Sequence, residues 1–206
     1  MKRSYCVLFV LCSLLFTFLY GCGGGGPGAP GSSGSEDTGI SVRVMNVTHS
    51  DPAGDQGDLW EVDFVQDTCD DGTAEAFGND VANITFHGDR LNPNITSDNI
   101  LYITNYKVTF KRENPSSPPI NQVELGNMGG MFILPDEDTG PYTFIVLDSG
   151  MKRKIASDIL SGQYAPLSYP LIYDMVIEIW GVDRLGKDFK VGPIIRPVSI
   201  TNYNKC

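Results

Sequence analysis

From Ile40 onward, apolar and polar residues alternate along the chain with period two. Ile40, Val42 and Val44 fall on one face, with Ser41 and Arg43 on the other. Trp60, Val62 and Phe64 alternate with Glu61 and Asp63, and Ala82, Ile84 and Phe86 with Asn83 and Thr85. The pattern continues from Tyr102 through Thr104, Tyr106 and Val108 to Phe110. Tyr142, Phe144 and Val146 begin a stretch that Thr143, Ile145 and Leu147 make apolar on both faces. Leu171–Val182 sets Met175, Ile177 and Ile179 against Asp174 and Glu178, and Val191–Ile200 closes the chain. Successive side chains of a strand point to opposite faces, so these stretches predict half-buried strands in antiparallel sheets. Turn-forming groups separate them, and Arg184–Lys187 reads as a hairpin turn.

One segment has a different period. Met151, Ile155 and Ile159 recur every fourth residue, which predicts a short helix with Lys152, Arg153 and Lys154 on its wet side. There is no repeated strand–helix–strand alternation. The pattern therefore predicts an all-β fold, an immunoglobulin-like two-sheet sandwich of seven or eight strands with one short helical segment. A closed β-barrel is the alternative. Trp60 and Trp180 are expected to fill the core.

The first residues follow another rule. Lys2 and Arg3 precede Tyr5–Tyr20, an uncharged apolar run too short for a spanning helix and suited to a signal peptide. Leu19-Tyr20-Gly21-Cys22 follows and resembles the lipobox of bacterial lipoproteins, with the larger Tyr20 where a small residue is usual. That resemblance implies cleavage before Cys22, acylation of its sulfur, and attachment to a membrane through the lipid. An uncleaved signal anchor and cleavage without lipid are the alternatives. With Gly23 rather than Asp after the cysteine, the resemblance favours the outer membrane. Gly23–Gly39 has no large apolar side chain and reads as a flexible Gly/Ser/Pro spacer. The expected organisation is thus a signal peptide over 1–21, a lipidated cysteine and tether over 22–39, and one domain over 40–206.

Charge narrows the partners. The formal net charge is −10, and loss of Lys2 and Arg3 with the signal peptide takes it to −12. Such a surface repels phosphate backbones, so no nucleic-acid partner is expected. Of the five cysteines, Cys6 and Cys12 lie in the apolar run and leave with it. Cys69 and Cys206 remain beside Cys22 and can form a disulfide in an oxidising compartment, worth about 4 kcal/mol by loop closure. Free thiols or a link to another chain are the alternatives.

Asp67–Asp70 (DTCD), the VANITF stretch, YKVTFK at Tyr106–Lys111, YDMVIEIWG at Tyr173–Gly181 and a closing SITNY together resemble a group of small, uncharacterised lipoproteins of deltaproteobacterial type. That resemblance spans most of 40–206 and implies an immunoglobulin-like sandwich with no assigned activity.

Catalytic and metal signatures are sparse. His49 and His87 are isolated, and no Cys-x-x-Cys pair exists, so a zinc site is not expected. Both histidines read as surface or capping residues. There is no Gly-x-Ser-x-Gly elbow and no phosphate loop. Asp67, Asp70, Asp71, Asp136 and Asp138 are weak calcium candidates, lying in acidic turns with no EF-hand spacing. Solvated turns, in which Asp caps its own backbone, are the simpler reading. Asn127–Gly130 reads as a glycine-rich bulge. No cofactor and no enzymatic activity are expected. The expected function is a non-catalytic binding or structural module at the envelope, with an envelope protein or a glycan as partner. A subunit of a larger envelope complex, or a glycan-active enzyme, is the alternative.

Overall fold

The structure, a computed structural model, describes residues 34–52, 56–57, 60–94, 98–164 and 169–203. Among the described residues ten strands form two sheets. They are β1 (Ile40–Ser50), β2 (Gln56–Gly57), β3 (Trp60–Asp63), β4 (Asp80–Arg90), β5 (Leu101–Arg112), β6 (Val123–Gly126), β7 (Phe132–Ile133), β8 (Asp138–Leu147), β9 (Leu171–Asp183) and β10 (Asp188–Thr201). The first sheet has the order β2-β1-β4-β8, and the second β3-β10-β9-β5-β6, with β7 on β5. All pairings are antiparallel except β3 with β10, which is parallel. The expectation of an all-β, two-sheet sandwich with one helix holds. The strands beyond the expected seven or eight are β2, β6 and β7, too short to show any alternation.

The core lies between the sheets. Trp60, Phe86, Tyr106, Phe144 and Tyr173 are fully buried there, with Ile, Leu and Val from both inner faces. Tyr106 bridges the layers, its ring edge-on to Phe144 and its hydroxyl donating to the Ile145 carbonyl at 2.9 Å. Tyr173 donates to the Pro118 carbonyl at 2.8 Å. Burial pushes both phenols up to about 12.

Register shifts interrupt the ladders of β1 with β4, β4 with β8, β5 with β9 and β10 with β9. In β1 the register shifts between Val44 and Asn46. Ile40 and Val42 face the core before it; Val47 and His49 face the core after it. His49 is therefore buried, against the expectation of a surface residue, because one extra residue inverts the alternation. In β5 the shift falls between Ile103 and Asn105. Tyr102 and Thr104 were expected on the face of Tyr106 and Val108; instead Leu101 and Ile103 point inward and Tyr102 is 42% exposed. In β10 the shift spans Val191–Ile194.

The helix α1 (Ser149–Leu160) crosses from β8 to β9. Asp148 caps it by accepting from the Met151 amide at 2.9 Å. Its inner side carries Lys152 and Ile155, both buried. This corrects the placement of Lys152 on the wet side: Arg153 and Lys154 are exposed, but Lys152 is 1% exposed. The folded region also reaches back before Ile40. Ser35 is fully buried and its hydroxyl accepts from the Val42 amide at 2.9 Å. A single 3-10 turn at Glu36–Thr38 leads into β1. The spacer expected to run to Gly39 thus has its last residues built into the domain. Among the described residues no helix is long and apolar enough to cross a membrane.

Candidate functional site

The outer face of the six-stranded sheet carries the most distinctive surface. Along β9, Tyr173, Met175, Ile177 and Ile179 point into the core, so Glu178 and Trp180 point out. Trp180 is half-buried rather than part of the core, which corrects the expectation for that tryptophan; Trp60, at 1% exposure, meets it.

Local backbone geometry sets the position of Trp180 in the sheet. Trp180 is opposite Asn105 on β5 and Lys190 on β10. The bulge leaves Thr104 as the extra residue, and its hydroxyl lies 3.3 Å from the Trp180 carbonyl and 2.8 Å from the Asn105 amide oxygen. Gly181 follows because nothing larger fits: a Cβ there would lie 2.1 Å from the Tyr102 carbonyl oxygen and 2.4 Å from the Phe189 ring. Lys190 Nζ sits 5.3 Å from the indole centre and is paired with Glu178. A trough of about 510 Å³ passes over this face, lined by Thr104, Asn105, Lys107, Glu124, Trp180 and Asp188, with Gly181 and Phe189 at its floor. The arrangement is an aromatic plate ringed by hydrogen-bonding groups of both signs.

A second cluster is buried. Asp80, at 0% exposure, receives Lys152 Nζ at 2.5 Å and His49 Nε2 at 3.0 Å. The His49 ring stacks on Trp60 at 4.9 Å, and Lys152 Nζ lies 5.0 Å from the Phe77 ring centre. The cluster joins β1, β4 and α1, and the trough is lined by other residues. Its position identifies it as a support for the helix.

A third cluster links β3 to the chain end. Asp63 and Glu75 are both buried, with their carboxyls close enough to act on one another. Asp63 accepts from the Val65 amide at 3.1 Å and Glu75 from the Asp67 amide at 3.1 Å. Burial, with the neighbouring Glu75 carboxyl adding to it, pushes Asp63 up to about 6.

The acidic turns separate into two places. Asp67, Asp70 and Asp71 line a cavity of about 800 Å³ with Cys69 and Asn202. Asp67 accepts from the Asn202 amide at 3.0 Å, and Asp71 caps Thr73, whose hydroxyl holds the Asp71 carboxyl below the usual range. Asp136 and Asp138 lie where β8 begins. Asp136 pairs with Arg90, which lowers its pKa, and Asp138 meets His87 Nδ1 at 2.6 Å. Beside them Asp89 is held low by its hydrogen bonds to Arg43. Among the described residues no three His, Cys, Asp or Glu side chains are grouped to hold a metal ion. Asp71 thus caps a turn, Asp136 meets Arg90, Asp138 meets His87 and Asp67 meets Asn202, while Asp70 stands in the loop cavity.

Cys69 lies in the 67–75 loop, closed by the Cys69 amide to the Thr73 carbonyl at 2.8 Å. Cys206 and the lipidation candidate Cys22 lie outside the described residues. An apolar cleft of about 410 Å³ separates α1 from the sheet edge, lined by Phe64, Val65, Ile159, Leu160 and Tyr169 among others.

No family model, no curated protein and no solved structure matches this chain.

Proposed function

We propose that the chain is a lipid-tethered, non-catalytic binding module of the bacterial envelope, and that the outer face around Trp180 is its contact surface. The observation that carries the second half is the half-buried indole in a trough lined by Lys107, Glu124, Asp188 and the Asn105 amide. Large aromatic side chains on a surface add contact area at little entropic cost, which is why they dominate binding sites. The first half rests on the order of Lys2-Arg3, the apolar run and Cys22. A disulfide between Cys69 and Cys206 belongs to the same reading. It is supported by the course of the chain end, where Asn202 bonds Asp67 and the Tyr203 amide reaches Asp63.

Two measurements test the reading. Cys22→Ala should move the protein from the high-salt-washed membrane fraction to the soluble one; retention on the membrane refutes the anchor. A photo-reactive side chain at Asn105, beside Trp180, should give an envelope adduct on irradiation, whereas one at Thr85, on the opposite sheet, should not. Equal adducts from both positions, or none from Asn105, refute the contact surface. The apolar cleft under α1 favours a second reading, a subunit of a larger envelope complex. A co-purifying partner lost on Leu160→Asp would decide for that reading.

A further inference from the structure

We infer that the trough at Trp180 takes a saccharide chain, with a sugar ring lying against the indole. The inference rests on the reading of this face as the contact surface and adds the chemical class of what it contacts.

The shape comes first. Residues of the trough stand on β6, β5, β9 and β10, four neighbouring strands of one sheet. At about 4.8 Å between strands the trough is some 14 Å long, and it runs across the strands rather than along them. A ligand lying there meets side chains, not a free row of backbone groups. An extended peptide gains its affinity from such a row at a sheet edge, so this site does not suit it.

The chemistry comes second. A saccharide presents a flat patch of C–H groups edged by hydroxyls, each of them donor and acceptor. The trough offers the complement: one indole plate, and around it the Asn105 amide, the Thr104 hydroxyl and the carboxylates of Glu124 and Asp188. A carboxylate can accept from two vicinal hydroxyls, while an amide gives and takes at once. Phosphate ligands are disfavoured, because Lys190 is already paired with Glu178 and the remaining Lys107 stands opposite Glu124 and Glu178. A lipid tail would need a continuous apolar lining, and here the indole is ringed by polar groups. The β5 bulge and Gly181 set the backbone that carries the indole, and Lys190 is in contact with its ring.

The test uses the full-length chain in detergent on an array of bacterial polysaccharides and defined oligosaccharides, including chitotetraose and cellotetraose. Titration of the retained saccharides follows. Trp180 and Trp60 are the two tryptophans of the chain, and Trp60 is buried. Acrylamide should therefore quench Trp180, and a bound saccharide should shield it. Trp180→Ala should weaken binding at least about tenfold with an unchanged unfolding curve. Trp180→Phe, which keeps a ring, should retain part of it. No saccharide retained by the wild type, or equal binding by Trp180→Ala, overturns the inference. An empty array with a protein adduct from Asn105 removes the saccharide and leaves the contact surface standing; an empty array with no adduct removes both.

Discussion

Replacing Lys152 by Met should cost far more than a lysine on a short helix ordinarily would. The Nζ of Lys152 is 2.5 Å from Asp80 Oδ2, with the two side chains 1% and 0% exposed. Met matches Lys in helix propensity, so the helix itself loses nothing. What the substitution leaves behind is the Asp80 carboxylate without its cation. Stranding one partner of a buried ion pair costs about 3–5 kcal/mol. Here His49, 3.0 Å from the other carboxylate oxygen, still offers a hydrogen bond. The expected loss is therefore at the lower end, about 3 kcal/mol. With a urea m-value of about 2 kcal/mol/M, the unfolding midpoint should fall by about 1.5 M. Removing both charges in Lys152→Met/Asp80→Asn should recover about 2 kcal/mol, since an amide can keep the His49 contact. Urea unfolding followed by the fluorescence of Trp60, on which His49 stacks, measures both. A loss below about 1 kcal/mol for the single variant, or a double variant no better than the sum of its parts, would refute the assignment of Lys152 as a buried, charged strut.

Other positions give sharper local tests. Gly181→Ala should destabilise by about 3 kcal/mol in thermal or urea unfolding, because its Cβ meets the Tyr102 backbone, which cannot step aside. Asp63 sets a pH dependence of known sign. Its folded value of about 6 lies above the ordinary 3.8, so its contribution is present below pH 3.8 and is lost as pH rises through about 6. Asp71, Asp89 and Asp136 are shifted the other way and matter only below the ordinary carboxylate range. Between pH 4 and about 7, Asp63→Asn should therefore flatten the fall in stability of the wild type; an unchanged slope would count against the Asp63–Glu75 pair. Peptide mapping without reductant should find Cys69 joined to Cys206, and Cys69→Ser should lower the melting temperature; free Cys206 beside a linked Cys69 would redirect the pairing.

Most strands were legible because hydrophobic burial acts residue by residue: β4 alternates without a break, and its pattern survives intact in the sheet. The helix was legible in its period, though not in its orientation, since Lys152 replaces an apolar residue on the inner stripe and finds its counter-charge on β4. The placement of His49 and the outward turn of Tyr102 depend on bulges in β1 and β5. A bulge is an agreement between two strands, and neither strand's sequence declares it. Trp180 was misplaced for a different reason. Its own alternation with Ile179 and Ile177 puts it outside, beside Glu178, but the expectation that tryptophan fills cores outweighed that period. The packing of Ser35 and Thr38 left no signal at all in hydropathy, because hydroxyls hold them in place.

Periodicity alone dictates an all-β chain with one short helix, because most long strands carry an apolar residue at every second position. The acidic charge and the spacing of the cysteines are likewise set by the sequence. Which polar groups meet is settled by the packing of the sheets and helix. Asp80 draws together residues from β1 and α1, Asp63 pairs with Glu75, and four strands lay their outer side chains around one indole. Those meetings are set by strand order and register, which depend on the sum of many distant contacts rather than on any one segment.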